Sequence, residues 1–346
     1  MKLRFLILLL LIAAAGFFPA IGAAQEKPAQ AYKWYEQGRI YLNQKEYEKA
    51  IDAFNRAAAL QPNFAEAYLY RGMAYAEQGD PDGAIDNYTR ALDSKPNLVD
   101  AYRERGKAYA AKGLFDRAIE DYNQILLLAP GDEDAFRSRG LAYERKNQMA
   151  QAIEDFTQAV TLNPKRAENY YNRGVALDRA GRQQQAVEDY TRAISLNPGD
   201  FHSYHNRGIA FARMGQAEKA AEDYSKAIDL KPNQPDLYFQ RGVVQAQVGR
   251  YDAAIEDYSR ALSLNPNLGQ AYNQRGAAYR KKGQLDQAIE DHSRAIVLNA
   301  NFGEAYYGRG QAYFDQGQKE KAKIDFQKAC TLGIQEGCRS AKLIEP

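Results

Sequence analysis

Residues 167–200 read AENYYNRGVALDRAGRQQQAVEDYTRAISLNPGD, and residues 201–234 read FHSYHNRGIAFARMGQAEKAAEDYSKAIDLKPNQ. The second stretch is a respelling of the first, displaced by 34 residues. Gly174 answers Gly208, Ala186 answers Ala220, and Tyr190 answers Tyr224. Followed in both directions, the same period places nine glycines without a slip: Gly38, Gly72, Gly106, Gly140, Gly174, Gly208, Gly242, Gly276 and Gly310. A fixed period of this length marks an array of small units, each needing its neighbours to bury its apolar face.

With the glycine as position 8, the first repeat starts at Ala31. Position 4 is aromatic in every repeat, from Trp34 to Tyr306, and position 20 is always alanine. Position 24 is Phe or Tyr except at His292, and position 27 is alanine except at Ile125. Apolar residues fall at 4, 8, 10 and 11, then at 17, 20, 21, 24, 27 and 28, the three-and-four spacing of a helical stripe. Between the two runs, position 15 is Gly from Gly79 to Gly317, with Asn147 in the fourth repeat. Both residue types tolerate the left-handed backbone that ends a helix. Proline at position 32, from Pro62 to Pro266, cannot continue a helix. Each repeat is therefore predicted to be helix A, tight turn, helix B and stop, in an all-α chain. Small residues at 8, 20 and 27 let the helices approach, and the aromatics fill the space beside them.

This pattern resembles the tetratricopeptide repeat family, over residues 31 to roughly 336. The resemblance implies a right-handed α-solenoid superhelix of stacked helix–turn–helix repeats. It also implies that helix A lines a concave groove and that the protein binds other proteins, usually extended peptides or helices. The predicted organisation is a signal peptide over 1–24, a polar linker over 25–30, nine repeats over 31–336 and a capping helix over 337–346.

Lys2 and Arg4 precede an apolar run from Phe5 to Ala15, followed by Gly22-Ala23-Ala24. That is the layout of a secretory signal cleaved after Ala24. The uncharged stretch 5–24 is also about long enough for an uncleaved anchor. The array is expected outside the cytoplasm, periplasmic or secreted. Without Lys2 and Arg4 the chain holds 44 basic and 44 acidic residues. A neutral array argues against nucleic acid as a partner, because phosphate binding needs a basic stripe. It equally weakens any membrane contact beyond the N-terminal segment. Nothing in the sequence sets the oligomeric state.

The only cysteines are Cys330 and Cys338, both at the exit of the last repeat. Their spacing across a Leu-Gly junction resembles the Sel1-like repeats, in whose secreted members such a pair bridges two helices. An export signal is compatible with that disulfide. The alternative is one buried and one exposed thiol. Two thiols without companion ligands do not make a metal site.

Position 7 is arginine from Arg71 to Arg309, and position 23 is aspartate from Asp121 to Asp325. The first repeat lacks both, with Gln37 and Ala53 in their places. Joint gain and loss within one chain predicts a structural ion pair, as in Arg207 with Asp223 and Arg241 with Asp257, rather than an arginine rail for anionic ligands. Arginine suits the role because its fork meets a carboxylate twice.

The groove is instead expected at positions 2, 5, 6, 9, 12 and 13 of helix A, where residues change from repeat to repeat. The candidate contacts for a protein or peptide ligand are Arg137, Tyr171, Asn172, His205, Asn206 and Phe239. Asn172 and Asn206 resemble the asparagines with which related arrays hold a peptide backbone. The lysine and asparagine set of the chaperone-binding members is missing, so a carboxylate clamp is not expected. His202 and His205 share a helix face without enough companions for a metal, and His292 reads as a packed replacement for tyrosine. No phosphate loop, serine elbow or His-Glu metal motif is present, so neither catalysis nor a cofactor is expected. Two other uses remain open from the sequence: a membrane-anchored or self-associating envelope spacer, and carbohydrate or peptidoglycan binding through groove tyrosines.

Overall fold

Position 15 ends every A helix as its backbone freedom dictates. The glycines there have φ between 73° and 87°, and Asn147 has φ 60°. After Gly215 the chain closes with two bonds, Gly215 N–H to Ala212 O and Gln216 N–H to Phe211 O. Repeat 1 carries Lys45 at this position, held at φ 61° without the advantage of a missing side chain. In the seven repeats with proline at position 32, the B helix makes its last bond just before it, as in Lys231 N–H to Ala227 O ahead of Pro232.

The structure, a computed structural model, describes residues 19–344. The expected signal peptide falls largely outside them, as do the last two residues of the expected cap. The chain forms two compact bodies, divided after Pro164. The first holds α1 (Pro19–Asn43), α2 (Tyr47–Leu60), α3 (Ala65–Gln78), α4 (Pro81–Ser94), α5 (Val99–Ala111), α6 (Phe115–Leu128), α7 (Glu133–Arg145) and α8 (Met149–Leu162). The second holds α9 (Ala167–Arg179), α10 (Gln183–Leu196), α11 (Phe201–Arg213), α12 (Ala217–Leu230), α13 (Pro235–Gln247) and α14 (Tyr251–Leu264). It continues with α15 (Gly269–Lys281), α16 (Leu285–Leu298), α17 (Gly303–Asp315), α18 (Lys319–Thr331) and α19 (Gln335–Leu343). Within each body the fold is an all-α solenoid of stacked repeats. Inside each body, each A helix packs on its own B helix and, beyond that body's first repeat, on the B helix of the repeat before it.

Residues 25–30, expected as a linker, are helical and belong to α1. Five of the six are Gln, Glu, Lys or Ala, which are good helix formers, and the helix carries Pro28 inside it at the loss of one backbone hydrogen bond. Residue 24, the expected cleavage point, lies inside the same helix. The closing helix starts at Gln335, two residues before the expected 337. Among the described residues no helix is long and apolar enough to cross a membrane.

The core is a file of alanines and rings. Ala50, Ala84, Ala118, Ala152 and their successors at position 20 are fully buried, and so is most of position 27. The position 24 ring of each repeat lies against its position 8 glycine. A methyl group on Gly208 would come 2.8 Å from Tyr224 Cε1, inside van der Waals contact. Gly208→Ala is therefore expected to force the Tyr224 ring off its seat, at about 1–3 kcal/mol. Thermal unfolding of the variant checks this; an unchanged midpoint would refute the close approach.

Candidate functional site

Seven Arg–Asp pairs form as the sequence predicted: Arg105–Asp121, Arg139–Asp155, Arg173–Asp189, Arg207–Asp223, Arg241–Asp257, Arg275–Asp291 and Arg309–Asp325. In each, Nε and one terminal nitrogen of the guanidinium donate to the two carboxylate oxygens at 2.6–3.0 Å. Arg71, whose partner position is Asn87, keeps one such bond at 2.5 Å. The aspartates are buried and the arginines largely so. The guanidinium also lies over the position 4 ring, as Arg207 does over Tyr204 at 5.8 Å.

The remaining guanidinium nitrogen carries a contact that sequence reasoning missed. Where both repeats lie in one body, it donates to the position 25 side chain of the preceding repeat. Arg207 reaches Thr191 at 2.9 Å, Arg241 reaches Ser225 at 2.9 Å, and Arg275 reaches Ser259 at 2.8 Å. In the first body Arg105 reaches Thr89 at 3.0 Å, and Arg139 reaches Asn123 at 2.5 Å. One arginine thus ties helix A to its own helix B and to the repeat before. A second, exposed line joins position 14 to position 18 of the preceding repeat, through Lys112–Asp82, Lys146–Asp116 and Lys282–Asp252. Solvent screening makes that line worth little.

The position 7 arginines are thereby occupied by structure, which leaves the other polar side chains of the A helices as candidates for recognition. Arg137 lies on α7 in the first body, with its guanidinium on Asp134 at 2.6 Å. The other five candidates lie in the second body, on α9, α11 and α13. Asn206 donates from Nδ2 to the Tyr171 hydroxyl at 3.1 Å, which joins two neighbouring repeats. Asn172, the next residue of α9, is half-buried.

The position 5 rings are not free. Tyr171 rests against Tyr190 with ring centres 6.1 Å apart, His205 against Tyr224 at 6.1 Å, and Phe239 against Tyr258 at 5.9 Å. In these three repeats the position 5 ring, partly exposed, packs on the position 24 ring of its own repeat. His205 Nε2 is buried with no hydrogen-bond partner. Burial pushes the imidazole pKa down, against a smaller upward pull from Gln240, and so favours the neutral ring. His202 is exposed, with its ring 3.9 Å from that of Phe201. Among the described residues no group of three or more His, Cys, Asp or Glu is arranged to hold a metal ion.

Cys330 and Cys338 form a disulfide, with Cα atoms 4.6 Å apart, that ties α19 to α18. His292 is buried in its aromatic slot with Nδ1 2.8 Å from Asn273 Oδ1.

Sequence profiles described as "Tetratricopeptide repeat" match residues 20–63, 35–99, 71–135 and 137–201. Others with that description match 105–168, 189–222, 235–268, 258–290 and 303–333. Profiles described as "TPR repeat" match 212–249 and 276–317. The chain belongs to the tetratricopeptide repeat family, whose members are scaffolds for protein–protein interaction and are generally non-catalytic. No curated protein matches the chain significantly in sequence. Among solved structures, the C-terminal part of a TPR repeat-containing protein from Cytophaga hutchinsonii is 18% identical, with TM-score 0.59 over 69% of this chain and 98% of that one. Pseudomonas aeruginosa pilF is 19% identical, with TM-score 0.51 over 60% and 94%. Both likenesses concern the fold alone. MamA is 30% identical, with TM-score 0.45 over 46% of this chain and 94% of that one.

Proposed function

We propose that this chain is a non-catalytic scaffold, exported from the cytoplasm, that binds a polypeptide segment along the A helices of repeats 5 to 7. One observation carries the reading: the charged residues that repeat pair with one another inside the scaffold, and the A-helix residues that do not repeat remain partly exposed. Tyr171, Asn172, His205, Asn206 and Phe239 combine flat apolar edges with carboxamides that both donate and accept. An extended peptide needs that combination, because its backbone groups must be paired wherever they leave water. The Lys2–Arg4 start, the Phe5–Ala15 run and the small residues before Gln25 support export. So does a disulfide between the only two cysteines, since such bonds persist in oxidising compartments.

The test is affinity capture from envelope extract with the mature chain, in parallel with Asn172→Ala/Asn206→Ala/Phe239→Leu. Phe239→Leu is used because alanine would also hollow the packing on Tyr258. Loss of a specific partner from the triple variant is the expected result. An identical partner list would remove these residues from the binding site.

A further inference from the structure

Two junctions inside the second body join position 12 of one repeat to position 13 of the next by an ion pair. Asp178 on α9 meets Arg213 on α11 at 2.5 Å, and Arg280 on α15 meets Asp315 on α17 at 2.6 Å. Arg280 also donates to Gln311, the position 9 residue of α17, at 2.9 Å. Position 13 is acidic in two repeats, at Asp315 and at Glu77 in the first body. Ahead of Glu77, however, the position 12 residue is Leu42, and position 9 beside it is Met73. The carboxylate is kept at this junction and the arginine is not.

Leu42, Met73 and Glu77 line an open cleft, together with Tyr88 on α4 and Glu104 on α5. Leu42 and Met73 are half-buried and give it apolar walls. Glu77 is exposed and forms no ion pair among the described residues. Glu104 is bonded to Lys107 through one oxygen at 2.7 Å, which leaves its other oxygen open. Tyr88 is 1% exposed, with its ring against Gly72. Its hydroxyl makes no hydrogen bond among the described residues. Burial and then the charges of Glu104 and Glu77 push its pKa up, so the phenol lies in the field of both carboxylates. Lys45 stands at the rim, exposed, and pairs with neither carboxylate.

We propose that this cleft receives a lysine or arginine side chain of a bound polypeptide, with its aliphatic stem on Leu42 and Met73 and its cation at Glu77 and Glu104, in the seat that Arg280 fills between repeats 8 and 9. A long basic side chain suits an open cleft of this kind, because its stem covers apolar surface while its head stays in contact with water. Assigning the cation to a polypeptide rests on the scaffold reading above; the cation seat itself does not.

The probes are N-acetyl-lysinamide and N-acetyl-argininamide, with N-acetyl-norleucinamide as an uncharged stem. They are titrated into the chain while the methionine methyl signals are followed by NMR. The chain has four methionines, so Met73 reports on the cleft and Met149 and Met214 serve as internal references. Saturable shifts of Met73 with the two basic probes alone are expected, at the weak affinity that a partly exposed ion pair gives. Affinity is expected to fall about tenfold in Glu77→Gln/Glu104→Gln. It is expected to fall about threefold in Tyr88→Phe, the side chain that Phe54 and Phe156 already place at this position. Leu42→Arg fills the seat from inside, so a folded Leu42→Arg is expected to show no probe shifts. Equal shifts with the norleucine probe, shifts of Met149 or Met214 in place of Met73, or unchanged binding in Glu77→Gln/Glu104→Gln would overturn the proposal. So would full probe binding in folded Leu42→Arg. Basic probes that bind a chain capturing no partner would count against the scaffold reading and leave the cation seat standing; a captured partner without probe binding would do the reverse.

Discussion

Asp223→Ala is expected to cost about 3 kcal/mol, at the lower end of the penalty for stranding a buried charge. Its carboxylate takes two hydrogen bonds from Arg207, and its side chain is 6% exposed against 18% for the arginine. Removing it leaves a guanidinium that the Tyr204 face and Thr191 cannot neutralise. Arg207 is shared between repeats, so the loss spreads to the junction of repeats 5 and 6 as well as to the hairpin of repeat 6. Thr191→Ala removes one neutral acceptor and is expected to cost about 1 kcal/mol. Replacing both members, as in Arg207→Leu/Asp223→Leu, is expected to recover most of the loss, because no charge is then left buried. Chemical denaturation of the three variants orders them. If Asp223→Ala were no worse than Thr191→Ala, the pair would not be the junction's main tie.

The second large effect is a dependence on pH carried by His292. Burial lowers its pKa from 6.5 to about 4, helped by the positive charges of Arg280 and Arg309. The ring leans into the space left by Gly308, where a Cβ would lie 2.4 Å from Cε1, and Nε2 has no partner. Between pH 6.5 and 4 the unfolded chain takes up a proton that the folded imidazole refuses. Stability from this residue is therefore full above pH 6.5 and falls as the pH drops through that window, by about 3 kcal/mol in all. The loss is expected around α16 and α17. His292→Phe, which restores the side-chain type of the other repeats, is expected to remove the slope. Hydrogen exchange of the α16 amides at pH 7 and pH 4.5, in parent and variant, checks it. Equal acid sensitivity in the two would refute the assignment.

Much of this scaffold was legible because packing demands the same residue at the same place. Gly38 to Gly310, the position 24 rings and the left-handed turns could be placed from the period, and the Arg–Asp pairs from their joint absence in repeat 1. The position 25 acceptor was not legible. Thr191, Ser225, Ser259 and Asn123 share a hydrogen-bonding oxygen but no letter, so the repeat is chemical rather than literal. The helix over 25–30 was missed for a related reason: its residues are polar, and polarity was read as solvation instead of as helix propensity. The candidate contacts were found by their variability, which hid half of their role. Tyr171, His205 and Phe239 differ from one another, yet each packs on the conserved ring beneath it. In these three repeats the variation at position 5 leaves the ring-on-ring packing in place.

The division of labour between repeating and non-repeating residues is tested most directly by one paired measurement. Thermal midpoint and partner capture are recorded for Asn172→Ala/Asn206→Ala and for Arg207→Gln, each assayed where it is fully folded. The account predicts a crossing: the asparagine variant keeps its midpoint and loses the partner, while Arg207→Gln loses several degrees and keeps it. An asparagine variant that captures normally beside an equally stable Arg207→Gln that does not would contradict it, and would place recognition on the arginine line.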